Sequence, residues 1–325
     1  MTGRPFRPAS FLGTLWRTDQ VLTASGLGLL GLLLPFTLAD LALDPRIIAG
    51  APAWLKPAKF AASTGVYCLT LAWVFGYLPD WPRLRRVVST STVAIFFLEV
   101  GIIGLQAFRG TTSHFNVATT LDATLFGIMG MAIVVQTAMS TLVAVALWKQ
   151  PVDDRPMAWA LRAGIVIAIL GASTGGLMTR PTLAQLEEAE RTQRMTVAGA
   201  HTVGAPDGGP GLPGTGWSLH HGDIRVAHFV GLHALQALPL LAWMLTLTRH
   251  SEGVRTRLLV AAASSYVSLF GLLLAQALRG QSVVEPDRLM LTLLASWLAA
   301  SALAGWLVTR WSTHDNTRAY ATQAR

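Results

Sequence analysis

The chain has 325 residues, of which 52% are hydrophobic and only 13% charged, with a mean hydropathy of +0.47. That balance is too apolar for a soluble domain of this length and points to an all-α, polytopic membrane helix bundle. The net charge of +8 does not indicate nucleic acid, because the basic residues are scattered at the ends of apolar runs, where anchoring to anionic headgroups accounts for them.

Runs long enough to cross roughly 30 Å of hydrocarbon as helices occur near 21–43, 58–78, 87–107, 117–147, 158–178, 224–247, 257–278 and 289–311. Eight spans are expected, the fourth being longer than a crossing requires and therefore tilted or projecting. The alternation of a β-barrel is absent. The only cysteine, Cys68, lies inside the second span, which excludes a disulfide scaffold and a cysteine-rich metal site.

With eight spans, the Lys and Arg residues divide fifteen to ten between the two faces, and the richer face carries both termini. The positive-inside bias therefore predicts cytoplasmic termini in a cell membrane, with the first span retained as no cleavage site follows it. His114, His201, His220, His221, His228 and His233 then gather at the extracytoplasmic face, with His250 and His314 opposite.

A short internal repeat runs through this frame. The third span ends in Gln106-Ala107-Phe108-Arg109-Gly110, and the seventh in Gln276-Ala277-Leu278-Arg279-Gly280. At the same offset of 170, Leu71-Ala72-Trp73 matches Leu241-Ala242-Trp243, and Arg85 matches Arg255. Matches sharing one offset predict two parallel four-helix halves, residues 1–156 and 157–325. The halves diverge where the second span opens with Lys56-Pro57-Ala58-Lys59-Phe60 and the sixth with Arg225-Val226-Ala227-His228-Phe229, so one supplies ammonium groups and the other imidazoles.

The connection 179–223 is the only long extramembrane segment. Thr182 and Gln185 have capping-box spacing ahead of a short charged helix. A stretch rich in Gly and Pro follows, flanked by His201, Trp217, His220 and His221, and an ordered lid over the outer mouth is expected rather than a linker. In the fifth span, Gly171 to Gly175 form a small-residue stripe suited to close helix packing.

Neutral imidazole is the commonest protein metal ligand, so His114, His201, His221, His228 and His233 are the candidate ligands of haem b or a divalent transition metal in a redox protein. Arg109, Arg279 and Lys59 would neutralise haem propionates or another small anionic ligand. Glu99 lies seven residues before Gln106, on nearly the same helix face, and Asp122 lies early in the fourth span. Carboxyl groups at such depths mark polar interiors, and both are candidate proton-transfer or catalytic groups.

The alternatives are a proton-coupled transporter built on Glu99 and Asp122, or a sensor of pH or metal at the outer histidines. Against transport stands the scarcity of intramembrane polarity in the cytoplasmic half. The lipid bilayer is the partner implied by composition, and a homo-oligomer is left open. No nucleotide-binding loop, HExxH pair or nucleophile elbow occurs.

Overall fold

A computed structural model describes residues 8–323, with side chains for residues 11–310. Arg4, Arg7 and Arg325, and the side chains of Arg318 and His314, therefore lie outside the described residues. In chain order the elements are α1 (Pro8–Thr18), α2 (Gln20–Gly31), α3 (Leu33–Leu38), a π-helical turn (Ala39–Leu43), β1 (Ile47–Ile48), β2 (Ala51–Pro52), α4 (Leu55–Val74), a 3-10 turn (Phe75–Tyr77), α5 (Pro82–Phe108) and α6 (Thr120–Lys149). There follow α7 (Arg155–Ser173), α8 (Gly175–Met178), α9 (Leu183–Thr192), β3 (Thr202–Val203), β4 (Gly222–Asp223), α10 (Ile224–Leu232), α11 (Ala234–Thr246), α12 (Glu252–Leu278) and α13 (Arg288–Gln323).

Among the described residues, seven helices or continuous helical stretches are long and apolar enough to cross a membrane, and the α10–α11 pair makes an eighth if it is counted as one span. That pair bends by 45° at His233, where the apolar run 224–247 reads as unbroken. The Tyr266 hydroxyl, on α12, donates to the Val230 carbonyl at 2.6 Å and so holds a backbone group at the break. The chain forms two compact units: residues 1–150 with 176–200 and 207–210, and residues 151–175 with 201–206 and 211–325.

In the first unit α2, α4 and α5 pack on one another and α6 packs on α5. Gly26 and Gly65 let α2 and α4 approach until a Cβ on either would lie 3.0 Å from the other's carbonyl oxygen. The antiparallel β1–β2 ribbon leads into α4. Asp44 receives Arg46 through Nε at 2.7 Å and NH2 at 2.6 Å, while the Arg46 guanidinium also donates to the Phe108 carbonyl at 3.1 Å. A cation thus sits on the last carbonyls of α5. Cys68 is fully buried in α4.

The second unit repeats this pattern of packing: α7, α10, α11 and α12 pack together and α13 packs on α12. Here the crossing glycines are Gly171 and Gly231, where a Cβ on Gly171 would meet the Gly231 Cα at 2.7 Å. The antiparallel β3–β4 ribbon leads into α10. Asp223 and Arg225 make the same bidentate pair as Asp44 and Arg46, through Nε at 2.9 Å and NH2 at 2.6 Å.

The 179–223 connection is structured. Thr182 and Gln185 form the expected capping box at the start of α9. The hairpin between β3 and β4 closes through Leu212 N–H to Trp217 O at 2.8 Å and through Arg225 to the Gly216 carbonyl at 2.6 Å.

Candidate functional site

The two Gln-Ala-x-Arg-Gly segments close their helices identically. In α5, Thr111 N–H bonds the Gln106 carbonyl at 3.0 Å and Gly110 N–H bonds the Ala107 carbonyl at 3.0 Å. In α12, Gln281 N–H bonds the Gln276 carbonyl at 3.2 Å and Gly280 N–H bonds the Ala277 carbonyl at 2.9 Å. Each is a Schellman motif, and each needs its glycine, since Gly110 and Gly280 both have φ of 75°. The glutamine amides also agree: Gln106 Nε2 reaches the Thr112 carbonyl at 3.4 Å, and Gln276 Nε2 reaches the Ser282 carbonyl at 2.7 Å.

Both arginines are partly exposed and each is engaged by a carboxylate. Arg109 is held by Asp122 at 2.6 Å, and its guanidinium also donates to the Gln106 side-chain oxygen. Arg279 is held by Asp287 at 2.7 Å. Each arginine therefore latches a helix end to a carboxylate near the start of the next helix. Asp122 additionally accepts from Gln106 Nε2 at 2.9 Å and from the Thr119 hydroxyl at 2.6 Å. Asp122 thus accepts from three side chains, Arg109, Gln106 and Thr119.

Between Gly110 and α6 runs the His114 loop. The His114 ring lies 5.4 Å from Phe60, 6.2 Å from Phe115 and 6.3 Å from Phe126, with Ser113 Oγ at 3.0 Å from its Nδ1. Phe115 has φ of 63°, a costly conformation for a bulky residue. It is held there by Ala198 N–H, which donates to its carbonyl at 2.8 Å, and by Gly199, whose missing Cβ leaves room for the ring. Lys59 is half-buried in the first turns of α4.

The four remaining candidate histidines belong to the second unit. His228 Nδ1 lies 2.8 Å from the Gly171 carbonyl and 3.2 Å from Thr174 Oγ1. A carbonyl only accepts, so Nδ1 carries the proton and Nε2 keeps its lone pair. His201 is near enough to interact electrostatically with His228. His233 stands at the bend, its ring 4.2 Å from Phe229, and hydrogen-bonds Gln236. His221 is exposed at the end of the hairpin, beside His220, which approaches Glu285 at 3.5 Å. Among the described residues no three His, Cys, Asp or Glu side chains are grouped to hold a metal ion.

The inner face of α5 carries the most unusual chemistry. Glu99 is 1% exposed, and neither carboxyl oxygen has a hydrogen-bond partner among the described residues. Below it sits the apolar cluster of Ile102, Ile103 and Met129, with Phe60 and Leu125 against it. Lys56 at the start of α4 is the nearby charge that acts on Glu99.

Arg85, Thr92, Glu99 and Gln106 recur at seven-residue intervals, a spacing that drifts only about 20° per repeat and keeps them on one helix face. Thr92 is fully buried and its hydroxyl unpartnered among the described residues. Beside this face, Tyr67 bonds Ser140 at 2.9 Å and Gln136 at 3.5 Å. At the Arg85 end, Ser89 donates to Asp19 and Arg85 to the Thr18 carbonyl. The polar side chains at this end of the first unit come from three different helices and converge only in the fold.

The chain matches no known family model, no curated protein and no solved structure.

Proposed function

We propose that this protein is a proton-coupled membrane transporter whose proton-carrying group is Glu99. The carrying observation is the buried, unpartnered Glu99 carboxyl within a polar stripe that runs the length of α5. From Arg85 to Gln106 the stripe extends about 30 Å, the thickness of the hydrocarbon core. An unpaired charge held at that depth is costly, so a carboxyl placed there serves by gaining and losing a proton as its surroundings change. Lys56 lies toward one end, and Thr92, with the Tyr67–Gln136–Ser140 cluster, toward the other. Asp122, bound by Arg109 and Gln106, supports the outer end of the path as a fixed charge.

The test is proton flux in proteoliposomes. With an enclosed pH-sensitive dye and a potassium diffusion potential, wild-type protein should acidify the lumen, Glu99→Gln should lower the rate at least about tenfold, and Glu99→Asp should retain part of it. Flux unchanged in Glu99→Gln, or no flux above protein-free vesicles, would reject the reading.

A second reading, a haem- or metal-binding redox protein, is favoured by one observation: the fixed tautomer of His228. An imidazole whose Nδ1–H is held by a carbonyl presents Nε2 as a ligand atom, as metal-bound histidines do. Protein purified from cells supplied with haem and metals should then show a Soret band or bound metal that His228→Ala abolishes, whereas a colourless, metal-free and folded protein removes this reading.

A further inference from the structure

Asp19 is the last residue before the Gln20–Leu43 span and is half-buried in the first unit. Its Oδ1 caps α2 by accepting Leu22 N–H at 2.9 Å, and its Oδ2 meets the Ser89 hydroxyl of α5. Ser89 is 2% exposed, and its Oγ also lies 2.8 Å from the Arg85 carbonyl. A serine hydroxyl has one proton and cannot donate fully to both oxygens. Both contacts are served when Asp19 is protonated, because the carboxyl O–H then donates to Ser89 Oγ and Ser89 donates to Arg85. When Asp19 is ionised, the Ser89 proton turns to the carboxylate. The same three groups thus have two arrangements that differ by one proton.

The charged and titratable groups around Asp19 come from the neighbouring helices. Arg85 donates to the Thr18 carbonyl and covers the Phe75 ring at 5.7 Å, Cys68 of α4 is close enough to interact electrostatically, and Arg17 on α1 is exposed. About one turn beyond Ser89, Thr92 is fully buried with its hydroxyl unpartnered among the described residues, and Glu99 follows about two turns further.

The second unit shows that a capping aspartate does not bring such a column with it. Asp154 caps α7 through Met157 N–H at 3.1 Å, as Asp19 caps α2. At the offset of 170, however, the α12 residues that stand for Ser89, Thr92 and Glu99 are Leu259, Ala262 and Leu269. The outermost members of the stripe, Arg85 and Gln106, keep their counterparts in Arg255 and Gln276. The three inner polar positions of α5 are therefore lost together on α12, as expected of groups that serve one purpose.

We propose that Asp19 is a second proton-binding group of the path, exchanging protons with water at the Arg85 end of α5 and passing them through Ser89 and Thr92 to Glu99. This rests on Glu99 being the proton carrier. The proton lands on Asp19 Oδ2 and passes to Ser89 Oγ as the Ser89 proton moves on to Thr92 Oγ1. The Thr92 proton leaves through water for the Glu99 carboxylate, about 10 Å along the helix. Each hydroxyl gains one proton as it loses one, so the net transfer is from Asp19 to Glu99.

The experiment measures proton flux of the full-length protein in proteoliposomes, driven by a potassium diffusion potential. Asp19→Asn is the informative variant: asparagine caps a helix as well as aspartate, and its Nδ2–H donates to Ser89 Oγ as a protonated carboxyl does. Its Tm should match wild type while flux falls at least about tenfold, and Asp19→Glu should retain part of the flux. Azide, a small weak acid that can carry the missing proton, should restore flux in Asp19→Asn once the azide-dependent rate of Glu99→Gln vesicles is subtracted. A merely structural role for Asp19 predicts no such rescue. Flux lost in Glu99→Gln but intact in Asp19→Asn overturns the role of Asp19 and leaves that of Glu99 standing, as does a loss in Asp19→Asn that azide does not restore. No flux from wild-type protein rejects the Glu99 reading, and this inference with it.

Discussion

The Asp44 carboxylate accepts from Arg46 through two nitrogens and from the Trp54 indole at 2.8 Å, and the Arg46 guanidinium, first among these donors, holds it well below the usual carboxylate range. A depressed folded value means that the stabilisation is fully present above the ordinary carboxylate pKa and is lost as pH falls through the folded one. The Tm gap between wild type and Asp44→Asn should therefore hold from pH 7 to about 5 and narrow below about pH 4. A gap that vanishes already near neutrality would show that the pair contributes nothing. At this scale the sequence was partly legible. The Gln-Ala-x-Arg-Gly segments announce their own helix ends, because a Schellman closure is local. The carboxylates that take the arginines were not legible, since Asp122 lies thirteen residues after Arg109 and Asp287 only eight after Arg279, and no common spacing links them.

Among the helices, the small residues at the end of α7 and the start of α8 separate into those that matter and those that do not. A Cβ on Gly171 would meet Leu232 N at 2.6 Å and Gly231 Cα at 2.7 Å, all backbone, so Gly171→Ala must push α7 from α10. A loss of about 1–3 kcal/mol is expected, with the His228–Gly171 hydrogen bond disturbed as well. Gly175→Ala, which meets nothing within 4 Å, should leave the melting temperature near wild type and serves as the control. Equal effects of the two would contradict the packing described. The spans themselves were readable from hydropathy because each must fill the bilayer thickness. The break at His233 was not, because the helix breaker that the run does carry, Pro239, lies inside α11 six residues further on, whereas the Tyr266 hydroxyl that takes the Val230 carbonyl comes from another helix.

Over the whole chain, residues 176–200 belong with the first unit although they follow α7 of the second. Residues 115–117 bond residues 196–198 through Val117 N–H to the Thr196 carbonyl at 3.0 Å and Ala198 N–H to the Phe115 carbonyl at 2.8 Å. A fragment of residues 1–150 loses that partner strand, and expressed alone it should accumulate in membranes several-fold less than when residues 151–325 are co-expressed, as read by immunoblot. Equal accumulation would show the first 150 residues to be self-sufficient. The exchange of residues 176–200 between the units was not legible in the sequence, because it depends on backbone pairing between segments without distinctive side chains.

Cys68, enclosed in α4 with no exposed surface, is the only thiol in the protein. A maleimide in water has no route to it, so the native chain is already a blank background for site-directed labelling. A cysteine introduced at Arg86, near the start of α5, or at Glu187, on α9, would be the sole reactive position, and which side of a sealed vesicle it reacts from would report the orientation of that helix end directly.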